Sequence, residues 1–322
     1  MTSKHSRRSI LGQAGAALTG VAVGASMPAA VKAAESPKRP PEEPFGYCLN
    51  TSTISGANLG IVSELEIASK AGYSAIEPWL RDVEAYVKKG GTLADLKKRI
   101  SDLGLIVQDA IAFAQWVIED DTKRAQGLEQ MKRDMDTVAQ IGGTRIAAPP
   151  AGATENANLD LRKAADRYRA LLELGEKMGV HPLIELWGHS KCLNRLADVT
   201  FVAIETGRAD ASMLLDIYHL YKGGTDYASL RQINGGNLHI LHMNDFPASP
   251  DRAHITDAHR VYPGDGIAPF KQILTDLRDN GFRGYLSLEL FNRDYWKQNP
   301  EKVAKAGIEK MREVVKKNLA TV

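Results

Sequence analysis

The feature that most constrains this chain is an eightfold alternation of short apolar runs with longer stretches of helical period. The runs are GYCLN (46–50), AIEPW (75–79), IVQDAIAF (106–113), RIAAPP (145–150), PLIELW (182–187), MLLDIYH (213–219), LHILHMND (238–245) and YLSLELF (285–291). Several are almost continuously apolar, as strands buried on both faces must be, and strands separated by helices pair in parallel. Helical patterns fall between them at 58–71, 92–103, 121–141, 158–178, 194–206, 226–234, 269–280 and 300–319. Eight such units predict an α/β fold, a (β/α)8 TIM barrel in one domain over 45–322. An open doubly wound sheet would carry a Gly-rich phosphate turn after its first strand. Asn50-Thr51-Ser52-Thr53 stands there instead, so the barrel is preferred.

Residues 1–33 have a different character. A basic start (Lys4, Arg7, Arg8) precedes the mildly apolar, Gly- and Ala-rich stretch 10–30, followed by Val31-Lys32-Ala33. This order predicts an export signal cut after Ala33, too mild for a membrane span and leaving no stable membrane insertion after cleavage. Ser6-Arg7-Arg8-Ser9-Ile10-Leu11 resembles the twin-arginine export motif, which implies a periplasmic or otherwise exported protein that folds before it travels. Residues 34–44 (AESPKRPPEEP) predict a flexible leader.

Composition excludes several classes. With 43% hydrophobic and 25% charged residues in 322, the chain can bury a core without staples, and its two cysteines cannot build a disulfide scaffold or a Cys-rich zinc site. The formal charge of +2 owes its sign to the leader, because losing four basic residues and no acids there leaves −2. No nucleic-acid partner is expected of so balanced a protein.

The chemistry should lie at the carboxyl ends of the barrel strands. The last four runs each deliver a metal-competent side chain there, embedded among apolar neighbours: Glu185, Asp216, His242 and Glu289. Burying three carboxylates costs several kcal/mol each unless something compensates, and no strand-borne Arg or Lys lies nearby. One divalent cation is the economical answer. The oxygen-rich set with one imidazole suits Mn2+ first, then Mg2+ or Co2+, with Zn2+ also able to bind.

LIELWG (183–188), LLDIYH (214–219), LHMND (241–245), YPGDG (262–266) and LSLELF (286–291) together resemble the xylose isomerase-like TIM-barrel superfamily, especially its sugar epimerase and inosose isomerase/dehydratase branch. The order Glu, Asp, His, Glu at gaps of 31, 26 and 47 residues is similar to the family's as well. The resemblance covers roughly 45–320. It implies that Glu185, Asp216, His242 and Glu289 hold the metal, that His219 contacts substrate, that the YPGDG loop helps enclose it, and that the barrel self-associates as a homo-oligomer. Epimerases of this type often carry an Arg six residues after the metal-binding His. Here that position is Ala248, and Arg260 is the cation that could reach the site from another direction.

A metal chelating a hydroxy-ketone would stabilise the enediolate left when the α proton departs. Glu185 and Glu289, from runs five and eight, are the expected catalytic pair, one taking the proton and the other returning it. The expected activity is a metal-dependent isomerase or epimerase on an unphosphorylated sugar, cyclitol or keto-sugar. A dehydratase or lyase on an inosose or 3-keto-glycoside shares the first half-reaction. Substrate contacts are assigned to His219, His189, Arg260, Trp187, Trp116 and Glu77, with Trp79 as a further aromatic plate and Asn50 and Gln108 on the floor. Two alternatives belong to other classes. An abasic-site endonuclease-like protein should have more histidines and a basic groove, and a non-catalytic sugar-binding barrel has no need of two bases.

Overall fold

The structure is a computed structural model and describes residues 44–319. The expected signal at 1–33, and the leader up to residue 43, lie outside the described residues. Eight strands form one parallel sheet: β1 (Gly46–Asn50), β2 (Ala75–Glu77), β3 (Ile106–Val107), β4 (Arg145–Ala148), β5 (His181–Glu185), β6 (Ser212–Asp216), β7 (Leu238–His242) and β8 (Tyr285–Leu288). Their order, β3-β2-β1-β8-β7-β6-β5-β4, leaves β3 and β4 at the two ends of the ladder. Ala147 N donates to Ala110 O at 2.9 Å just past β3, and that bond links the two ends into a barrel. The strand–helix alternation in the sequence therefore has its expected outcome.

The helices are α1 (Ile61–Ala71), α2 (Leu80–Lys88), α3 (Leu93–Asp102), α4 (Asp121–Gln140), α5 (Leu161–Met178), α6 (Leu196–Glu205), α7 (Ile217–Gly223), α8 (Phe270–Asp279), α9 (Arg293–Trp296) and α10 (Pro300–Leu319). They pack against the outside of the sheet and bury a large apolar layer. A second, much smaller layer fills the barrel interior from Cys48, Ala75, Ile111, Ala147, Leu183, Leu214, Ile240 and Tyr285. Both cysteines are free and buried. No helix among the described residues is long and apolar enough to cross a membrane.

Helices α2, α7 and α9 lie outside the eight expected patterns. The pattern at 226–234 yields only a 3-10 turn (Tyr227–Gln232), while α7 forms directly after β6. Asp216 caps α7 by accepting from His219 N at 2.8 Å, and Gly224 ends it with positive φ. A helix that starts on the last strand residue brings His219 back over the barrel mouth.

Candidate functional site

Sheet register assembles the site. Asp216 pairs with His242 and His242 with Ser287, so the last residues of β6 and β7 stand abreast, and Glu289 follows Ser287 on the same face. Asp216, His242 and Glu289 are all buried and can each offer one ligand atom within 4.8 Å of the other two. The His242 ring explains how such a group would fit a cation. Its Nε2 lies 3.0 Å from Glu77 Oε1, and its Nδ1 lies 3.0 Å from Glu289 Oε2 and 3.5 Å from Asp216 Oδ2. Those approaches are within ion-pair range, yet Nδ1 is buried without a hydrogen-bond partner. A carboxylate that fixes one ring nitrogen and leaves the other facing two more carboxylates is the arrangement found behind metal-bound histidines. The residues present therefore fit a divalent ion, held by Asp216, His242 Nδ1 and Glu289.

Glu185 stands outside that trio. It is buried at the end of β5, and burial pushes its carboxyl up to about 8, with Glu289 adding to the rise and His242 and a Trp187 hydrogen bond opposing it. The expected four-ligand set thus appears as a compact three plus a neutral carboxylic acid lining the same cavity.

Two expected substrate contacts are corrected. Glu77 is completely buried and lies beneath the trio. It accepts from Asn50 Nδ2 at 2.8 Å and Ser287 Oγ at 2.6 Å, besides facing His242. Burial raises its pKa, but His242 and these donors outweigh that and hold it below the ordinary carboxylate value. Glu77 orients His242 and does not touch the cavity. Trp116 is likewise fully buried, donating to Pro149 O at 2.8 Å and packing on Tyr168 with ring centroids 5.7 Å apart. The chain turns inward after β3, so the ring that reaches the mouth is Phe113, which remains 44% exposed.

The cavity over the trio measures about 280 Å³. Trp79, Phe113, Trp187 and Phe291 line its apolar side, with Trp79–Phe113 centroids 5.1 Å apart and Phe113–Trp187 6.0 Å. Glu185, His189, His219, Asp257, Arg260 and Glu289 line its polar side. Arg260 is fully buried, and its Nη1 lies 2.8 Å from both Asp216 Oδ2 and Glu289 Oε2. Its Nη2 reaches His219 Nε2 at 3.1 Å and Asp257 Oδ1 at 2.5 Å. Burial lowers the pKa of His219 to about 3, so the ring is neutral; with Nε2 accepting from Arg260, the proton sits on Nδ1, which has no hydrogen-bond partner. That N–H is available to a substrate oxygen. His189 lies beside Trp187 and His219, at centroid distances of 5.2 and 5.5 Å. Gly188 permits this, since a Cβ there would strike the His219 carbonyl.

Arg260 arrives from the β7–α8 loop by way of the backbone pairing of Asp245 with Val261. The Asp245 carboxylate accepts from the backbone of Phe246, Gly264, Gly266 and Ala268, pinning the YPGDG turn. The glycines of that turn line a different groove. The turn therefore anchors the loop that carries Arg260, and the enclosure expected of it falls to the aromatic rim. The sequence reading missed Asn244, which donates to Asp216 Oδ2 at 2.9 Å, and Asp257, which holds Arg260. Asn244 sits in the quoted LHMND run. Asp257 carried no signal beyond lying three residues before Arg260.

An eight-stranded parallel barrel with carboxylates and a histidine gathered at its mouth defines a class of proteins as well as a geometry. The family described as xylose isomerase-like TIM barrel matches residues 65–314, and this chain belongs to it. Among its relatives, an inosose isomerase from Bacillus velezensis is 28% identical over 276 residues, covering 84% of this chain and 97% of that one. A 3-dehydro-D-guloside 4-epimerase from Escherichia coli is 25% identical over 214 residues, covering 61% and 76%. A solved structure described as the IOLI protein with a binding zinc atom superimposes with a TM-score of 0.80 at 23% identity, over 86% of this chain and all of that one. At that identity it bears on the fold alone.

Proposed function

We propose that the protein is a metal-dependent isomerase or epimerase of an unphosphorylated keto-sugar or cyclitol, working by proton transfer next to a carbonyl. The observation that carries this reading is the buried trio Asp216, His242 and Glu289, with the unpartnered His242 Nδ1 turned toward two carboxylates. A divalent ion bound there would polarise the substrate's carbonyl and neighbouring hydroxyl and stabilise the negative charge that develops on them. Mn2+ is the leading assignment from the oxygen-rich donor set, and the zinc named for the superimposed structure makes Zn2+ the first alternative.

The chain's own groups supply the remaining steps. Arg260 Nε and the His219 Nδ1–H, each without a hydrogen-bond partner, donate to substrate oxygens, and the aromatic rim excludes water from the apolar face. Glu289 takes the α proton. Glu185 is uncharged near neutral pH and returns a proton from another strand, with β6 and β7 lying between β5 and β8. Return to the opposite face of the same carbon gives an epimer, and return to the neighbouring carbon gives an isomer. The names of the relatives, inosose isomerase and 3-dehydro-D-guloside 4-epimerase, support a carbohydrate-like ketone as substrate.

Incubating the metal-loaded protein in deuterated water with inososes, keto-sugars and 3-keto-glycosides tests this. Deuterium should enter at the α carbon of at least one of them, stop on chelation and resume with added Mn2+ or Zn2+. Exchange at an undiminished rate in the chelated protein would refute the metal's role. Release of a hydroxyl in place of stereochemical or carbonyl change would mark a dehydratase or lyase. We infer also that the protein acts outside the cytoplasm, on the strength of the Arg7-Arg8 leader. Fractionation of cells carrying Arg7→Lys/Arg8→Lys should move it into the cytoplasm.

A further inference from the structure

Arg260 makes contacts that donation to a substrate does not explain. Its Nη1 donates at 2.8 Å to both Asp216 Oδ2 and Glu289 Oε2, the carboxylate oxygens that face His242 Nδ1 at 3.5 and 3.0 Å. Those are also the oxygens a divalent ion would take. A metal bonded to them at about 2.1 Å would stand within about 5 Å of Nη1, one cation beside another in a buried site.

Lone pairs sharpen the conflict. A carboxylate oxygen has two and so serves two partners. Asp216 Oδ2 already accepts from Arg260 Nη1 and, at 2.9 Å, from Asn244 Nδ2, while Asp216 Oδ1 accepts from His219 N at the start of α7. Asn244 is not free to yield. Its Oδ1 accepts from Tyr218 N at 2.9 Å, and moving the amide would leave that buried donor unpaired. Arg260 is held differently. Its Nη2 donates to Asp257 Oδ1 at 2.5 Å and to His219 Nε2 at 3.1 Å, and its guanidinium carbon lies 4.7 and 5.1 Å from the Tyr218 and Phe291 ring centres. A turn about Nη2 would release Nη1 and keep those anchors. Asp257 is set one short turn ahead, with Arg260 N donating to Asp257 O at 3.1 Å, so anchor and arm belong to one rigid piece of loop.

We propose that Arg260 is a counter-ion which the metal displaces. Nη1 neutralises Asp216 and Glu289 until a divalent ion takes their oxygens, and Asp257 then keeps the guanidinium in the cavity with Nη1 turned to the substrate. The proposal rests on the metal reading of the site given above and adds an order of events to it. The metal binds before the substrate is fully held, and each tightens the binding of the other. Asp257 is thereby a positioning residue that acts through Arg260.

Metal affinity, read by competition with a chromophoric chelator on the full chain, tests this apart from turnover. Arg260→Gln should bind Mn2+ and Zn2+ about tenfold more tightly than the wild type, because no charge-assisted hydrogen bond has to be given up. Asp257→Asn should act the other way and weaken both metals about threefold, because the guanidinium loses the 38% exposed carboxylate that draws it off the ligands. Opposite shifts in the two variants support the exchange. Binding that is unchanged, or moved the wrong way, in either variant overturns it, makes Arg260 a fixed brace of the ligands and leaves the metal site standing. If Arg260→Gln does not fold, Asp257→Asn and a crystal structure of the Zn2+-loaded wild type decide. Nη1 beyond hydrogen-bond distance of Asp216 Oδ2 supports the proposal, and Nη1 still bonded to both carboxylates with the ion in place overturns it. If wild type and variants alike bind neither metal, the reading of the metal site falls and takes the proposal with it.

Discussion

The floor of the barrel mouth and its β5 wall each bury a glutamate, and they treat it in opposite ways. Glu77 on the floor is surrounded by Asn50, Ser287 and His242 and stays ionised. Glu185 on the wall faces Trp79, Phe113 and Trp187 across the cavity and is pushed up to about 8. Burial is nearly the same for both, so the number of donors decides the charge. The satisfied carboxylate is built to hold another residue still. The one with fewer donors is left able to exchange a proton with something that enters.

The largest expected effect tests the wall. Glu185→Gln should lower α-proton exchange by about a hundred- to ten-thousandfold, the range for losing a positioned acid or base, with thermal stability unchanged or raised. A wild-type exchange rate in this variant would remove the functional half of the contrast. The floor answers to a different readout. Glu77→Gln should weaken metal binding by about ten- to a hundredfold in a competitive chelator titration, because His242 loses its anionic support. Unaltered affinity would reduce Glu77 to a packing role.

A smaller effect separates the core from the rim. Trp116→Phe should cost about 1–3 kcal/mol in denaturant unfolding by leaving Pro149 O without its donor, while exchange kinetics stay as in the wild type. The mildest test carries the contrast outside the barrel, to Glu64, another buried carboxyl short of donors. Its pKa is raised from the ordinary 4.5 to about 8 by burial and by Asp82, with Arg81 opposing. The folded protein thus keeps a proton that the unfolded chain has lost. That contribution to stability is whole below about pH 4.5 and disappears as pH rises through about 8. Unfolding of the metal-free protein across this window should lose at most about 1.4 kcal/mol per pH unit from this group, and Glu64→Gln should flatten the slope. Identical slopes in the two proteins would show the carboxyl ionised throughout.

Much of this was legible in the chain itself. Eight alternations of short apolar runs with stretches of period 3.6 leave few architectures, and acids inside runs such as Ile184-Glu185-Leu186 and Leu288-Glu289-Leu290 had to find a use at strand ends. Local pattern determined those features, because periodicity and desolvation act on neighbours in sequence. What only the tertiary structure decided involves partners far apart in the chain. Glu77 and His242, 165 residues distant, became hydrogen-bond partners once β2 and β7 were curled into one barrel. Arg260 reached Asp216 and Glu289 because Asp245 pins the turn that follows it. Trp116 went to the core and Phe113 to the mouth through a bend after β3 that no periodicity announces. Which of two buried acids keeps its proton is set by donors that folding brings to it, and their distances along the sequence carry no record of that meeting.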